Sequence, residues 1–229
     1  MAALRTVLLE RGAALVGYAD LHDVPAEARD GMPFGVSIAV ALDPVIVASL
    51  VDGPSQEYFA EYKRVNARLN GLGSMAAEFL KEEGHEATAL AATDVDIDPE
   101  THSTRLPHKT VASRAGLGWI GKCALLITEQ FGAGIRLTTV LTDAELPVGR
   151  PVNESQCGDC VACVEACPGN AGSGRDWQFG SHRDDFFDVF ACRRTARKKA
   201  AAAGIDESIC GICIAACPWT QKHLERSGL

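Results

Sequence analysis

The chain has 229 residues, with 22 basic and 30 acidic side chains and a formal net charge of −8. A hydrophobic fraction of 47% excludes a disordered chain and allows a sizeable core, in one large domain or two modest ones. The acidic balance argues against a general binder of nucleic acid or of anionic membrane surfaces.

The first segment reads as a short helix stopped at Gly12, with Leu4, Val7 and Leu8 on one face. It shows no basic leader and no cleavage site, so a soluble cytoplasmic protein is expected. Strands are expected at 14–19, 35–42, 87–92, 123–128 and 135–142. The apolar run Val36 to Val51 is broken by Asp43 and Pro44 and is shorter than a membrane span of about 20 residues. A long helix is expected from Ser55 to Glu83, with Ser55 as N-cap, Gly84 as stop, and Gly71 and Gly73 as a weak middle.

The stretch 107–115 reads as a second helix ended by Gly116. Gly116, Gly118 and Gly121 fit G-x-G-x-x-G and Lys122 follows, yet the order is helix, glycines, strand. A dinucleotide fingerprint needs strand, glycines, helix, so that phosphate meets a helix N-terminus. The Rossmann and P-loop readings are therefore rejected. The glycines mark a close approach of backbone to a ligand or a neighbouring chain, or a plain turn with Trp119 in the core. Residues 146–156 read as a linker. The expected organisation is a mixed α/β domain over 1–150, binding a cofactor or substrate, and a different domain over 151–229.

Eight of the nine cysteines lie after residue 156. Cys157, Cys160, Cys163 and Cys167, followed by Pro168, form C-x2-C-x2-C-x3-C-P. Three thiolates in one loop wrap a cubane corner, and the fourth leaves for a second cluster. Structural zinc takes two separated C-x2-C knuckles instead. A second copy, Cys210, Cys213 and Cys217 before Pro218, lacks one cysteine, since a regular repeat would place it at Glu207. Cys192 either completes it or is a buried thiol beside a three-cysteine site. In the first case one 4Fe-4S cluster takes Cys157, Cys160, Cys163 and Cys217, and the other takes Cys167, Cys192, Cys210 and Cys213. Cys123 reads as a small hydrophobe beginning a strand. Arg193, Arg194, Arg197, Lys198 and Lys199 form either a solvated helix face or a surface that steers an acidic electron donor.

"AGLGWIGK" (115–122), the apolar strand after it, "CGDCVACVEACP" (157–168), the isolated cysteine beside basic residues and "CGICIAACPW" (210–219) resemble the epoxyqueuosine reductase family from about residue 105 to 220. Weaker echoes are "PFGVSIAVAL" (33–42) and "YFAEYKRVNARLNGL" (58–72). The resemblance implies an α+β architecture: an α/β domain like that of reductive dehalogenases, then a ferredoxin-like domain with two 4Fe-4S clusters. It also implies a corrinoid (cobalamin) as candidate cofactor, near Gly116, Gly118, Trp119, Gly121 and Lys122. The implied partners are a low-potential donor such as flavodoxin or ferredoxin and a small-molecule substrate.

Three departures stand out. A C-terminal helical-repeat region is absent after the second motif, which weighs against tRNA as partner. The family's proton-donating aspartate has no counterpart in register, Asp98 being the nearest, and His108-Lys109 stands where Glu-Arg would be. Cys123 stands where asparagine often follows Gly-Lys. His108, and behind it His102, are candidates for the missing proton donor, or else ordinary hydrogen-bonded residues. The base-on corrinoid signature D-x-H-x-x-G fails at Pro25. The expected function is an iron–sulfur oxidoreductase resembling epoxyqueuosine reductase. The alternative is a ferredoxin-like electron-transfer protein with a non-catalytic docking domain.

Overall fold

The computed structural model describes residues 2–93 and 97–229. In chain order the elements are α1 (Ala2–Glu10), β1 (Leu15–Asp20), β2 (Phe34–Ala41), α2 (Pro44–Ala48), α3 (Gln56–Glu82), β3 (Ala87–Leu90), α4 (His108–Arg114), β4 (Trp119–Ile120), β5 (Leu126–Ile127), β6 (Ile135–Thr142), α5 (Ala162–Glu165), α6 (Val189–Ala202), α7 (Ile212–Ala215) and α8 (Pro218–Arg226). Among the described residues no helix is long and apolar enough to cross a membrane.

The chain divides into two compact units. The first comprises Met1–Ala41, Val65–Gly118 and Arg136–Val152, and the second Leu42–Arg64, Trp119–Ile135 and Asn153–Leu229. The division is discontinuous where the sequence alone suggests a single cut near residue 150.

The first unit is a four-stranded sheet of order β1-β2-β6-β3. β1 and β2 pair antiparallel from Leu15↔Ala39 to Asp20↔Phe34, and β3 pairs antiparallel with β6 from Ala87↔Thr142 to Leu90↔Thr139. β2 is buried from Gly35 through Val40, so both of its faces are covered and its apolar run is nearly unbroken. Alternate residues of β6 point to opposite faces. Thr138 lies toward α3, where a Cβ on Gly73 would stand 3.6 Å from its Cγ2. Leu141 joins Ala19, Leu21 and Val111 in a core under α4. Two strand glycines let α4 come close: a Cβ on Gly35 would meet Val111 Cγ1 at 2.9 Å, and one on Gly17 would meet Leu117 Cδ2 at 2.8 Å.

Arg114 closes α4. It is 2% exposed, donates from Nη1 to Asp23 Oδ2 at 2.9 Å and from Nη2 to the Val152 carbonyl at 2.8 Å. Val152 N returns a bond to the Ser113 carbonyl at 2.9 Å. One guanidinium therefore holds the loop after β1 and the last segment of this unit.

The second unit gathers segments far apart in sequence. Leu42 N donates to Gly134 O at 2.9 Å, and Ala133 N donates to Thr220 Oγ1 at 3.0 Å. Gly132 has φ +56°, and a Cβ there would collide with the Thr220 backbone. Leu50 packs on Gly211, where a Cβ would meet its Cδ1 at 2.8 Å. Gln56 Nε2 donates to Ala203 O at 2.9 Å, and Lys199 Nζ to Asp52 O at 3.0 Å. These contacts are why 42–64 and 119–135 fold with the cysteine-rich segment.

Several expected elements differ in form. The strand expected at 123–128 is a short hairpin instead, with Trp119↔Ile127 and Ile120↔Leu126 paired antiparallel. Its turn is closed by Ala124 N→Gly121 O at 2.8 Å and Gly121 N→Leu125 O at 2.9 Å, with Ala124 at φ +58°. Cys123 lies in that turn, not in a strand. The apolar run after β2 turns into α2, capped by Asp43, whose side chain accepts from Val45 N at 2.8 Å. α3 continues as helix through Gly71 and Gly73, and Ser55 Oγ accepts from Tyr58 N at 3.2 Å at its start.

Arg114→Met should cost about 2 kcal/mol, because it strands the part-buried Val152 carbonyl and removes the charge facing Asp23. Thermal unfolding followed by circular dichroism should show a lower midpoint, while iron content stays unchanged.

Candidate metal centre

Two short helices carry the cysteine repeat. In the first copy the chain turns at Gly158, φ +55°, with Cys160 N donating to Cys157 O at 3.2 Å. α5 follows and ends with Cys167 N on Val164 O at 3.2 Å. In the second copy Gly211, φ +91°, caps α7. Cys217 then serves as N-cap of α8, with Pro218 in the first turn, where its missing N–H costs nothing. α5 and α7 pack together, so the repeated sequence is a repeated structure.

The cysteines ring two hollows. The first, with about 420 Å³ of atom-free space, is lined by Cys157, Cys160, Cys163 and Cys217. The second, with about 450 Å³, is lined by Cys167, Cys192, Cys210 and Cys213. Cys163 and Cys123 line both. Among the described residues no three His, Cys, Asp or Glu side chains converge as a site for a single metal ion. Sulfurs spaced around a hollow are instead the donor set of a polynuclear cluster, and eight thiols in two groups of four fit a pair of 4Fe-4S cubanes.

Burial opposes free thiolates here. It pushes the Cys192 thiol up to about 11, aided by Cys167, Cys210 and Asp188. It also raises Cys210 and Cys217. Cys163 is raised by its hydrogen bond to Cys123 first and by burial second. Without metal these sulfurs keep their protons, so metal binding must release them and draws folding along with it.

The glycine stretch is shared between the units. Gly116 and Gly118 belong to the first. Gly116 has φ +76°, and its Cβ would meet the Arg150 carbonyl oxygen at 2.6 Å. Trp119, Gly121 and Lys122 belong to the second. Trp119 is 1% exposed and meets Trp219 edge-on, centroids 5.3 Å apart. A Cβ on Gly121 would meet Ile127 Cγ1 at 2.8 Å and Cys157 Sγ at 3.5 Å. Lys122 is buried and donates to the Gly158 carbonyl at 2.6 Å. At Gly116 and Gly121 the close approach is thus to protein, which gives both glycines a packing cause. Neither is a cradle that a corrinoid alone would fill.

His108 opens α4. Its Nε2 lies 2.9 Å from the Ala91 carbonyl and its Nδ1 3.0 Å from Thr139 Oγ1. A carbonyl only accepts, so Nε2 carries the proton and Nδ1 accepts from the threonine hydroxyl. Both ring nitrogens therefore tie α4 to the sheet. His102 lies apart, on a turn with φ +48°.

Cys192 sits on α6. Arg193, Arg194, Arg197 and Lys198 on the same helix are exposed, and Lys199 is turned inward to Asp52.

Comparison with known proteins follows the same lines. Residues 156–220 match the family described as a 4Fe-4S double cluster binding domain. The epoxyqueuosine reductase of Synechococcus sp. (strain RCC307) is 28% identical over 235 residues, covering 98% of this chain and 69% of that protein. The chain is similar to epoxyqueuosine reductases over nearly its whole length. That of Aliivibrio fischeri is 34% identical over 131 residues, 54% of this chain and 32% of that protein, so the match spans about a third of this relative. A reductive dehalogenase described as suggesting a mechanism for B12-dependent dehalogenation has the same fold, with TM-score 0.72, 19% identity and coverage of 99% of this chain and 33% of that one. So has an epoxyqueuosine reductase solved with an epoxyqueuosine-modified tRNA stem loop, with TM-score 0.64, 19% identity and coverage of 96% and 65%.

Sequence reasoning missed the placement of Lys122 and Cys123 against both hollows. The one available signal was arithmetic: a ninth cysteine in excess of two four-thiolate sets.

Cys192→Ala should lower anaerobically measured iron from about eight to about four per chain, since a three-thiolate second site is incomplete. An iron content unchanged from the wild type would exclude Cys192 as a ligand.

Proposed function

We propose that this chain is an iron–sulfur oxidoreductase that carries single electrons from a low-potential donor, such as flavodoxin or ferredoxin, to a cofactor or small-molecule substrate of its first unit. The observation that carries this reading is the gathering of eight cysteines around two hollows. Cys157, Cys160, Cys163 and Cys217 would hold one 4Fe-4S cluster, and Cys167, Cys192, Cys210 and Cys213 the other. Bound there, the clusters would supply one-electron transfer at a potential tuned by charge, hydrogen bonding and exposure.

The chain's own residues do the rest. Pro168 and Pro218 each follow the last cysteine of a copy, and at Pro218 that cysteine caps α8. Trp219 lines the first hollow and packs edge to face on the buried Trp119. The exposed cations of α6 stand on the helix that carries Cys192, and in a chain of net charge −8 they offer an acidic donor protein a local complementary surface. Eight reduced thiols suit the cytoplasm, where disulfides are rare.

A corrinoid is the finer form of the acceptor. It is supported by likeness of fold to the reductive dehalogenase described with B12-dependent dehalogenation. The tRNA stem loop belongs to the epoxyqueuosine reductase solved with it, and the net acidity of this chain weighs against RNA as its partner.

Dithionite should bleach the anaerobic protein reversibly, and cob(II)alamin added to the reduced protein should be retained through gel filtration. Reversible bleaching without corrinoid retention would leave the docking-module alternative. Loss of iron on the first reduction cycle would contradict electron transfer altogether. His108→Gln, which keeps a donor and an acceptor, should leave bleaching and corrinoid retention intact, because His108 is spent on Ala91 and Thr139.

A further inference from the structure

One buried cation stands against both hollows. Lys122 lies in the β4–β5 turn, is 4% exposed, and lines each cysteine hollow. Its Nζ donates to Gly158 O at 2.6 Å, the carbonyl immediately after Cys157. The carboxylate beside it, Asp176 Oδ1, is 3.8 Å away on a side chain 48% exposed.

Burying an ammonium is costly unless opposite charge and hydrogen bonds offset the lost hydration. One carbonyl and one distant, half-solvated carboxylate are a weak offset. A 4Fe-4S cluster ligated by four thiolates is an anion, and one-electron reduction adds a further negative charge. A cation fixed in a low-dielectric wall therefore favours the reduced form, more strongly at shorter distance. Lys122 points at the loop of Cys157 and Cys160, which line only the first hollow.

We propose that Lys122 is a positioning residue that sets the reduction potentials of the two clusters, raising that of the first (Cys157, Cys160, Cys163, Cys217) above that of the second. The proposal rests on the two-cluster reading above. The exchange it biases moves one electron. The cluster at Cys192 is oxidised by one electron, the cluster at Gly158 is reduced by one, and no bond or proton changes hands. An electron arriving near the basic face of α6 then settles on the first cluster.

The test is a potentiometric titration followed by EPR, on anaerobic protein loaded to about eight irons. Lys122→Met should lower the higher midpoint by at least tenfold in the reduction equilibrium, about 59 mV for one electron, and narrow the gap between the two midpoints. Lys122→Arg should hold both near their wild-type values. Asp176→Asn, which removes a half-exposed countercharge, should move the higher midpoint upward. Fully loaded Lys122→Met with unmoved midpoints, or with the lower midpoint moving more, overturns the proposal. If Lys122→Met fails to take up iron, Asp176→Asn decides: an upward shift supports the proposal and an unmoved midpoint overturns it. Wild-type protein without two 4Fe-4S signals sinks the underlying reading, and it does so before any substitution is made.

Discussion

Sulfurs gathered in a half-buried space resist becoming free thiolates. Burial raises the thiols of Cys192, Cys210 and Cys217, the first of them to about 11. Iron reverses that preference by binding the thiolate and displacing the proton. The rest of the second unit answers this demand. α5 and α7 hold the repeated loops, and Pro168 and Pro218 follow the last cysteine of each. Segments from 42–64 and 119–135 close over them through Leu50, Gly132 and the β4–β5 turn. Crossed ligation would make the first and last cysteines of the region parts of one cluster, so that folding of the segment and filling of both sites become a single event.

The turn at 121–124 is where sequence and structure meet most closely. Gly121 permits contact with Ile127, Lys122 brings a buried charge to both hollows, and Cys123 hydrogen-bonds to Cys163 and Cys213. A stretch that resembles a phosphate loop on paper is, within the second unit, part of the wall of the two cysteine-lined hollows. Gly116 and Gly121 are explained by close protein neighbours.

Features encoded by local spacing were legible. The grouping of the cysteine repeat could be read because three thiols within seven residues must point into one small volume. The ends of α3 could be read because Ser55 caps it and Gly84, φ +88°, stops it. Long-range features were not legible. The β4–β5 hairpin has two residues per strand and turns on Ala124, a non-glycine residue in the left-handed region, so neither period nor turn chemistry marks it. Nothing in the sequence marks Gly17 and Gly35, yet they are where α4 and the loop after it approach the sheet. The discontinuity of the units depends on Thr220 meeting Ala133, 87 positions away, Ala203 meeting Gln56, 147 positions away, and Gly211 meeting Leu50, which no window of sequence reveals.

The proposed function rests on one short segment holding two adjacent 4Fe-4S clusters with crossed ligands. That arrangement is tested most directly by EPR of the anaerobic, fully reduced protein. Two clusters sharing the wall formed by Lys122 and Cys123 should give a complex signal, broadened by spin–spin interaction and integrating to two spins per chain. A single simple signal integrating to one spin, or none, would contradict the account.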